Sequence, residues 1–310
     1  MLRAGLLWLS EQPQVFRFVR RNGLARRFAS RFVAGETVES AVAALRDLNA
    51  AGLSASLDLL GESVLHAEEA RQARDTYLQT LDRIRAAGAD ANVSVKLTQM
   101  GLDIDAAMCV ANMRDIIGKA KQYGSFARID MEQSTYTAKT LQLFTDVFCP
   151  EFGNAVGVVL QSYLRRTAAD VDAMIALGAR VRLCKGAYQE PENVAFPAKR
   201  DVDKNYVACM ERLLEHGHYP GIATHDEKII AHAKAFTTSK GIAPARYEFQ
   251  MLYGVRRDLQ QALRRDGYNV RVYVPFGTHW YPYLMRRLAE RPANIVFIVG
   301  NVVKESLRRK

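Results

Sequence analysis

Eight short apolar stretches recur along the chain roughly every 30 residues, each followed by a polar turn and a run of helical periodicity. The apolar stretches fall at 55–60, 93–98, 126–131, 156–161, 181–185, 221–224, 246–251 and 270–275. Helical patterns follow at 66–86, 105–121, 137–148, 168–177, 201–216, 227–240, 255–265 and 280–290. Thirty residues is about the size of one βα unit, and eight units over about 240 residues suit a closed barrel better than an open sheet. The predicted fold is therefore α/β, a (β/α)8 TIM-type barrel with an N-terminal helical extension. Its parts are expected at 1–50 (helical extension), 51–294 (catalytic barrel) and 295–310 (a tail or helix packing on the barrel). Gly88, Gly124, Gly178, Gly217, Gly241 and Gly267 stand where each helix hands over to the next strand, as C-cap glycines should.

Charge narrows the classes of partner. A net charge of +10 admits nucleic acid, an anionic membrane surface or acidic small molecules. The basic patches carry no nucleic-acid motif, so nucleic acid is not expected. The four cysteines are widely spaced with no CxxC, which indicates neither a disulfide framework nor a zinc site and suits a reducing, cytoplasmic setting. No apolar run approaches the roughly 20 residues needed to span a bilayer. Between Val15 and Val33, six arginines interleave with Phe16, Phe18, Phe28 and Phe32. That segment suits either a helix lying on an anionic membrane or a helix pair packing its Phe stripe on the barrel.

In a barrel, reacting groups collect at the carboxyl ends of the strands. Reading those ends gives Asp58 and Glu62, Lys96, Asp130 and Glu132, Gln161, Arg182 and Lys185, Thr224 and His225, Glu248 and Gln250, and Tyr273. Charged groups within strands this apolar are informative, because an unpaired buried charge is expensive. Lys96 and Asp130, on neighbouring strands, are expected to pair across the mouth, as an ion pair closing the interior, as catalytic groups, or as both. In the last helix, Arg286 and Arg287 form a natural carboxylate clamp, with Tyr283 one turn before and Glu290 one turn after. His216-x-His218 lacks a third ligand, so no metal is expected. His225 beside Asp226 reads as a tuned acid/base, or as a ligand contact next to a helix cap. No nucleotide or nucleophile motif names the reaction. The residues by themselves indicate a barrel enzyme acting on a small carboxylate.

At these same residues the chain resembles the proline dehydrogenase family. The matching stretches are SVKLTQMGLD (94–103), RIDME (128–132), VLQSYLRRT (159–167), VRLCKGAYQEP (181–191), ATHD (223–226), YEFQMLYGVR (247–256) and YVPFGTHWYPYLMRRLAERPAN (273–294). They run in order from the second strand to the last helix. The length resembles the short monofunctional bacterial branch, without room for the aldehyde dehydrogenase domain of bifunctional relatives. The resemblance implies an FAD-dependent enzyme passing a hydride from L-proline C5 to flavin N5. The product would be Δ1-pyrroline-5-carboxylate, with reoxidation by a membrane quinone and a downstream pyrroline-5-carboxylate dehydrogenase. It places the protein in the cytoplasm, with a peripheral contact on the inner face of the cell membrane.

Residue by residue, the resemblance implies that Arg286 and Arg287 bind the proline carboxylate and that Lys96, held by Asp130, is a further contact. Tyr273 and Tyr283 would wall the pyrrolidine ring, Leu183 would be an apolar neighbour, and Glu290 would orient the arginine helix. Asp130 and Arg182 take the catalytic positions, Arg182 beside the flavin N5. Gln161, Arg182, Lys185, Gly186, Ala187, Tyr188, Thr224 and His225 resemble the FAD-binding positions. Cys184 departs from the aliphatic residue that relatives often carry. Two other readings stand beside this one: a related flavin barrel preferring hydroxyproline, with Tyr283 as the discriminating residue, and a catalytically silent basic scaffold.

Overall fold

A computed structural model of the chain describes residues 29–290, and of residues 286–290 the backbone alone. Eight parallel strands close in chain order into a barrel: β1 (Ser54–Leu59), β2 (Ala91–Val95), β3 (Ala127–Ile129), β4 (Val156–Gln161), β5 (Arg180–Cys184), β6 (Gly221–Ala223), β7 (Glu248–Leu252) and β8 (Val270–Phe276). Closure is made by β8 on β1, in register from Ser54 opposite Arg271 to Leu59 opposite Phe276. The surrounding helices are α1 (Val38–Ala50), α2 (Ala67–Ala86), α3 (Ala106–Gln122), α4 (Ser134–Leu143), α5 (Cys149–Phe152), α6 (Thr167–Ala176), α7 (Lys199–His216), α8 (Glu227–Ser239), α9 (Arg257–Arg265) and α10 (Trp280–Glu290).

Side chains alternate across each strand with a period of two, so one parity faces the helices and the other the lumen. The helix-facing parity is apolar, with Leu57, Val93, Val95, Val158, Val181, Phe249, Val272 and Val274 all buried in the main core. Helix α1 joins that core through Ala41 and Leu45, both fully buried, and starts on a capping box between Thr37 and Ser40. A second cluster fastens the start of the described chain to the last helix: Phe32 and Val33 pack with Leu60, Trp280, Tyr281 and Leu284.

The lumen parity is different in kind. It carries Ser56, Asp58, Asn92, Ser94, Arg128, Arg182, Glu248, Gln250, Arg271 and Tyr273, where a barrel of this type usually holds branched aliphatic layers. Contacts between non-adjacent strands confirm that these groups cross the interior, for example Arg182 of β5 to Ser94 of β2 and Tyr273 of β8 to Asp130 just past β3. Gly157 on β4 makes room for one of them. A Cβ there would stand 2.4 Å from the Arg180 carbonyl oxygen and 3.2 Å from Arg128 Nη1.

Three local expectations need correction. The helix expected over 137–148 begins at Ser134 and passes through a wider π-type turn, Phe144–Phe148, into α5. The turn widens just before Pro150, which has no N–H to donate into a regular helix. Gly217 is not a left-handed cap: its φ is −80°, and the positive φ falls instead on Tyr219, at 45°. Glu248 opens β7 rather than ending it, so it lies at the floor of the barrel and not at the mouth. The Arg/Phe segment lies outside the described residues up to Phe28, as does the 295–310 tail. No described helix is long and apolar enough to cross a membrane.

Candidate active site

The mouth is built from lumen-facing groups of β1, β2, β5, β7 and β8, with Lys96 and Asp130 just beyond the carboxyl ends of β2 and β3. Strand β2 stops at Val95 because the chain turns at once, Met100 N–H closing on the Lys96 carbonyl. That turn leaves Lys96 projecting over the lumen. Its Nζ lies 2.7 Å from Asp58 Oδ1 and 3.9 Å from Asp130 Oδ2. The close partner of Lys96 is therefore Asp58 and not, as expected, Asp130. Asp130 instead accepts from Arg182 Nη1 at 2.7 Å on one oxygen and from the Tyr273 hydroxyl at 2.8 Å on the other. Geometry gives the reason: the strand-to-strand offset that aims Lys96 at β1 leaves Asp130 facing β5 and β8 across the lumen.

Arg182 is the hub. Its Nη1 also donates to Ser94 Oγ at 3.2 Å, its Nε donates to Gln250 Oε1, and its guanidinium carbon lies 5.2 Å from the Tyr273 ring centroid. Its Nη2 is buried and takes no hydrogen-bond partner among the described residues, and neither does Asp58 Oδ2. A buried donor left in this state is costly unless another molecule completes it.

Burial sets the protonation states. Burial alone would pull the Lys96 ammonium down, but Asp58 and Asp130 outweigh it and hold the lysine well above its ordinary range, so it stays charged. Burial pushes the Asp58 carboxyl up, Lys96 opposing and the nearby Asp130 charge reinforcing. Tyr273 is pushed well above its ordinary range, first by burial and then by Asp130, which keeps its hydroxyl a donor. Glu132 accepts from Thr98 through both backbone N–H (3.2 Å) and hydroxyl, yet burial raises it to about 7.

A second group of expected residues lies around the β4–β5–β6 side. Gln161 donates through Nε2 to the Glu132 carbonyl at 2.8 Å. Lys185 is gripped by Asp203 (2.6 Å) and Asp226 (2.9 Å). Gly186 has φ 105°, and a Cβ there would collide with the Tyr163 ring at 2.2 Å, so the backbone passes unusually close to that aromatic. Ala187 and Tyr188 follow, half-buried. Thr224 accepts from the Asp226 N–H, and Asp226 caps α8 through Lys228 N–H. His225 Nε2 accepts from Leu252 N–H at 3.0 Å.

Of the remaining expected residues, Leu183 sits on the opposite parity from Arg182, fully buried in the strand–helix core, so the two-residue side-chain period turns it away from the lumen. Tyr283 is buried in the cluster with Leu60 and Trp280. The side chains of Arg286, Arg287 and Glu290 lie outside the described residues, though their helix backbone follows directly from β8. His216 ends α7, and among the described residues no three metal-ligating side chains converge. Asp58 and Gln250, read from the strand ends but given no role, complete the mouth together with Ser94, which was not singled out; its polar character at lumen parity within an apolar strand is the signal that could have found it.

A parallel barrel whose mouth gathers two acids, a lysine, an arginine and a tyrosine is an enzyme of the (β/α)8 type. The family model described as proline dehydrogenase matches residues 41–299. Proline dehydrogenase 2 of Bacillus subtilis (strain 168) is 44% identical over 92% of this chain and 95% of its own. Proline dehydrogenase of Deinococcus radiodurans is 42% identical over 98% of each. Among solved structures, proline utilization A (PutA) from Bdellovibrio bacteriovorus, inactivated by N-propargylglycine, superposes with TM-score 0.81 at 25% identity, covering 97% of this chain and 39% of that one. The chain belongs to the proline dehydrogenase family.

Proposed function

We propose that the protein oxidises L-proline to Δ1-pyrroline-5-carboxylate, with FAD as its cofactor and a membrane quinone as the final acceptor. The observation that carries this reading is the cross-lumen mouth, in which Arg182 is fixed by Asp130, Ser94 and Gln250 while one of its buried N–H groups stays unfilled. Bound FAD would supply the acceptor for the hydride leaving C5. Arg182, Gln161, Lys185, Gly186, Ala187, Tyr188, Thr224 and His225 are the residues that would hold it. The unfilled Arg182 Nη2 fits such a group.

The chain's own residues then divide the work. Lys96, kept charged by Asp58 and Asp130, would take the substrate carboxylate together with the Arg286/Arg287 pair. The same cations disfavour a second positive charge, so proline binds with its nitrogen as the neutral amine and the displaced proton goes to water. The nitrogen lone pair is then available to form the C=N bond as the C5–H bond breaks. Tyr273, pinned to Asp130, would wall the ring. The barrel within 51–294 carries this chemistry, and the Arg/Phe segment would rest a cytoplasmic enzyme on the inner face of the membrane, beside the quinone and within reach of a pyrroline-5-carboxylate dehydrogenase.

The test is an absorbance spectrum of the purified protein before and after L-proline, without oxygen. Flavin bands that bleach with L-proline are expected. Bands that persist with proline but bleach with hydroxyproline would move the substrate assignment, and a colourless protein that takes up no added FAD would overturn the reading.

A further inference from the structure

At the opposite end of the barrel, among the amino ends of β2, β3, β4, β5 and β8, lies a cavity of about 840 Å³. Its lining includes four cationic side chains, Arg85, Lys121, Arg180 and Arg271, and a single carboxylate, Asp90. Arg85 and Lys121 are exposed at the rim, whereas Arg271 is only 9% exposed. Arg271 is held rigidly, with Nε on both oxygens of Glu248 (2.9 and 3.1 Å) and Nη1 on the Ala55 carbonyl (2.8 Å). Arg180 is held by aromatic faces, 4.2 Å from the Phe126 centroid and 4.9 Å from that of Tyr219. Its Nε is buried and takes no hydrogen-bond partner among the described residues.

Behind Arg180 stands Arg128, whose Nη1 reaches only main-chain carbonyls, Val158 at 3.4 Å and Arg180 at 3.1 Å, and whose Nε is likewise unfilled. Three guanidinium groups thus lie near one another at the floor, and among the described residues the only buried carboxylate that answers them is Glu248, with the exposed Asp90 3.9 Å from Arg271 Nη1. The imbalance is felt electrostatically. Burial pulls both Arg128 and Arg180 down from the ordinary arginine range, and neighbouring arginines pull them further. Backbone geometry is also committed here, since Tyr219 adopts φ 45° where its ring meets Arg180 and its hydroxyl reaches Glu248 at 3.4 Å.

We infer that this floor cavity is a binding site for a small multivalent oxyanion, of the phosphate or polycarboxylate class, held by Arg180 and Arg271 with Lys121 and Arg85 at its rim. Planar guanidinium groups with aromatic support are suited to such oxygens, and a cavity with excess positive charge concentrates anions from solution. The site is separate from the mouth, the two lying at opposite ends of the lumen.

The test is thermal unfolding of the full chain, as purified, in sodium phosphate or sodium citrate against sodium chloride at matched ionic strength. A saturable rise in Tm with phosphate or citrate, beyond the chloride control, is expected. Response to phosphate alone points to the phosphate class, response to citrate alone to a polycarboxylate, and response to both to a site that accepts multivalent oxyanions of either kind. Arg180→Gln should weaken the apparent affinity about tenfold, the size expected when a charged hydrogen-bond donor is lost. Lys121→Ala, an exposed change that leaves the core alone, should weaken it severalfold, and it serves if Arg180→Gln does not fold. Lys96→Met at the mouth should leave the affinity as it is. An equal rise in sodium chloride would show general screening of the basic chain. A rise unchanged by Arg180→Gln and Lys121→Ala but abolished by Lys96→Met would place the anion at the mouth. Either result overturns the inference.

Discussion

The two ends of the barrel lumen use the same residue types to opposite effect. At the mouth, cations and acids are balanced: Lys96 lies between Asp58 and Asp130, and Arg182 sits on Asp130 with Tyr273 completing the carboxylate. At the floor, Arg128, Arg180 and Arg271 share, among the described residues, Glu248 as their one buried acid, with the exposed Asp90 beside Arg271. Between the two runs a continuous hydrogen-bonded chain, from Arg271 to Glu248, to Gln250, to Arg182, to Asp130. The difference shows that a charged lumen is not by itself a mark of catalysis. A matched set with a few unfilled atoms can hold substrate and cofactor, while an unmatched set either waits for an anion or closes the barrel at a cost in stability.

The largest break of this comparison should come from Glu248→Gln. It leaves the buried Arg128 and Arg271 and the half-buried Arg180 with only the exposed Asp90, 3.9 Å from Arg271, in answer, and burial already works against the charge that Arg271 and Arg128 hold in place. The expected loss is about 3–5 kcal/mol in urea unfolding. Asp58→Asn should cost less, because Lys96 keeps Asp130 at 3.9 Å. Equal losses would mean that the floor is neutralised by something other than Glu248.

Next in size is a pH effect at Glu132. Its carboxyl is raised by burial to about 7, above the ordinary 4.5, so the folded state holds a proton that the unfolded chain has released between those values. Stability from this group should fall as pH rises through that window, and the full cost, on the order of 3 kcal/mol, should be present above it. Glu132→Gln should flatten the curve between pH 5 and 8; a slope identical to the parent's would show that the carboxyl is not buried in its neutral form.

Tyr273→Phe removes one donor to Asp130 while Arg182 remains, and a loss of about 2 kcal/mol is expected by the same unfolding measurement. The smallest effect should be outside the lumen. Arg114→Ala breaks an exposed pair with Glu151 at 2.8 Å, and less than about 1 kcal/mol should follow. A larger loss there would mean that surface pairs, and not the lumen, carry the charge-dependent stability.

The barrel itself was legible because the alternation of strand and helix patterns at a near-constant interval has few other solutions. Strand β4 begins and ends where its pattern does and helix α10 begins where its pattern does, whereas β2 stops early because the chain turns directly after Lys96 and β3 stops before Asp130. Partnerships across the lumen were less legible. Neighbouring strands suggested Lys96 with Asp130, but barrel stagger pairs each of them with a different strand, and no local sequence feature records that offset. Parity does carry information: Arg180 and Arg182, or Arg271 and Tyr273, stand two apart on one face, which also places Leu183 on the other. By the same rule Arg128 and Arg271 stand out as charges within apolar strands.

The most direct test of the account sets one residue from each end side by side. The rate at which L-proline bleaches the flavin bands, without oxygen, would be compared in Arg182→Met, Arg180→Gln and the parent chain. Arg182→Met should slow bleaching by about 100-fold or more, as loss of a preorganised charge at the reacting centre does, while Arg180→Gln should stay within about twofold of the parent. Equal slowing by both, or an undisturbed rate in Arg182→Met, would contradict the assignment of chemistry to the balanced mouth.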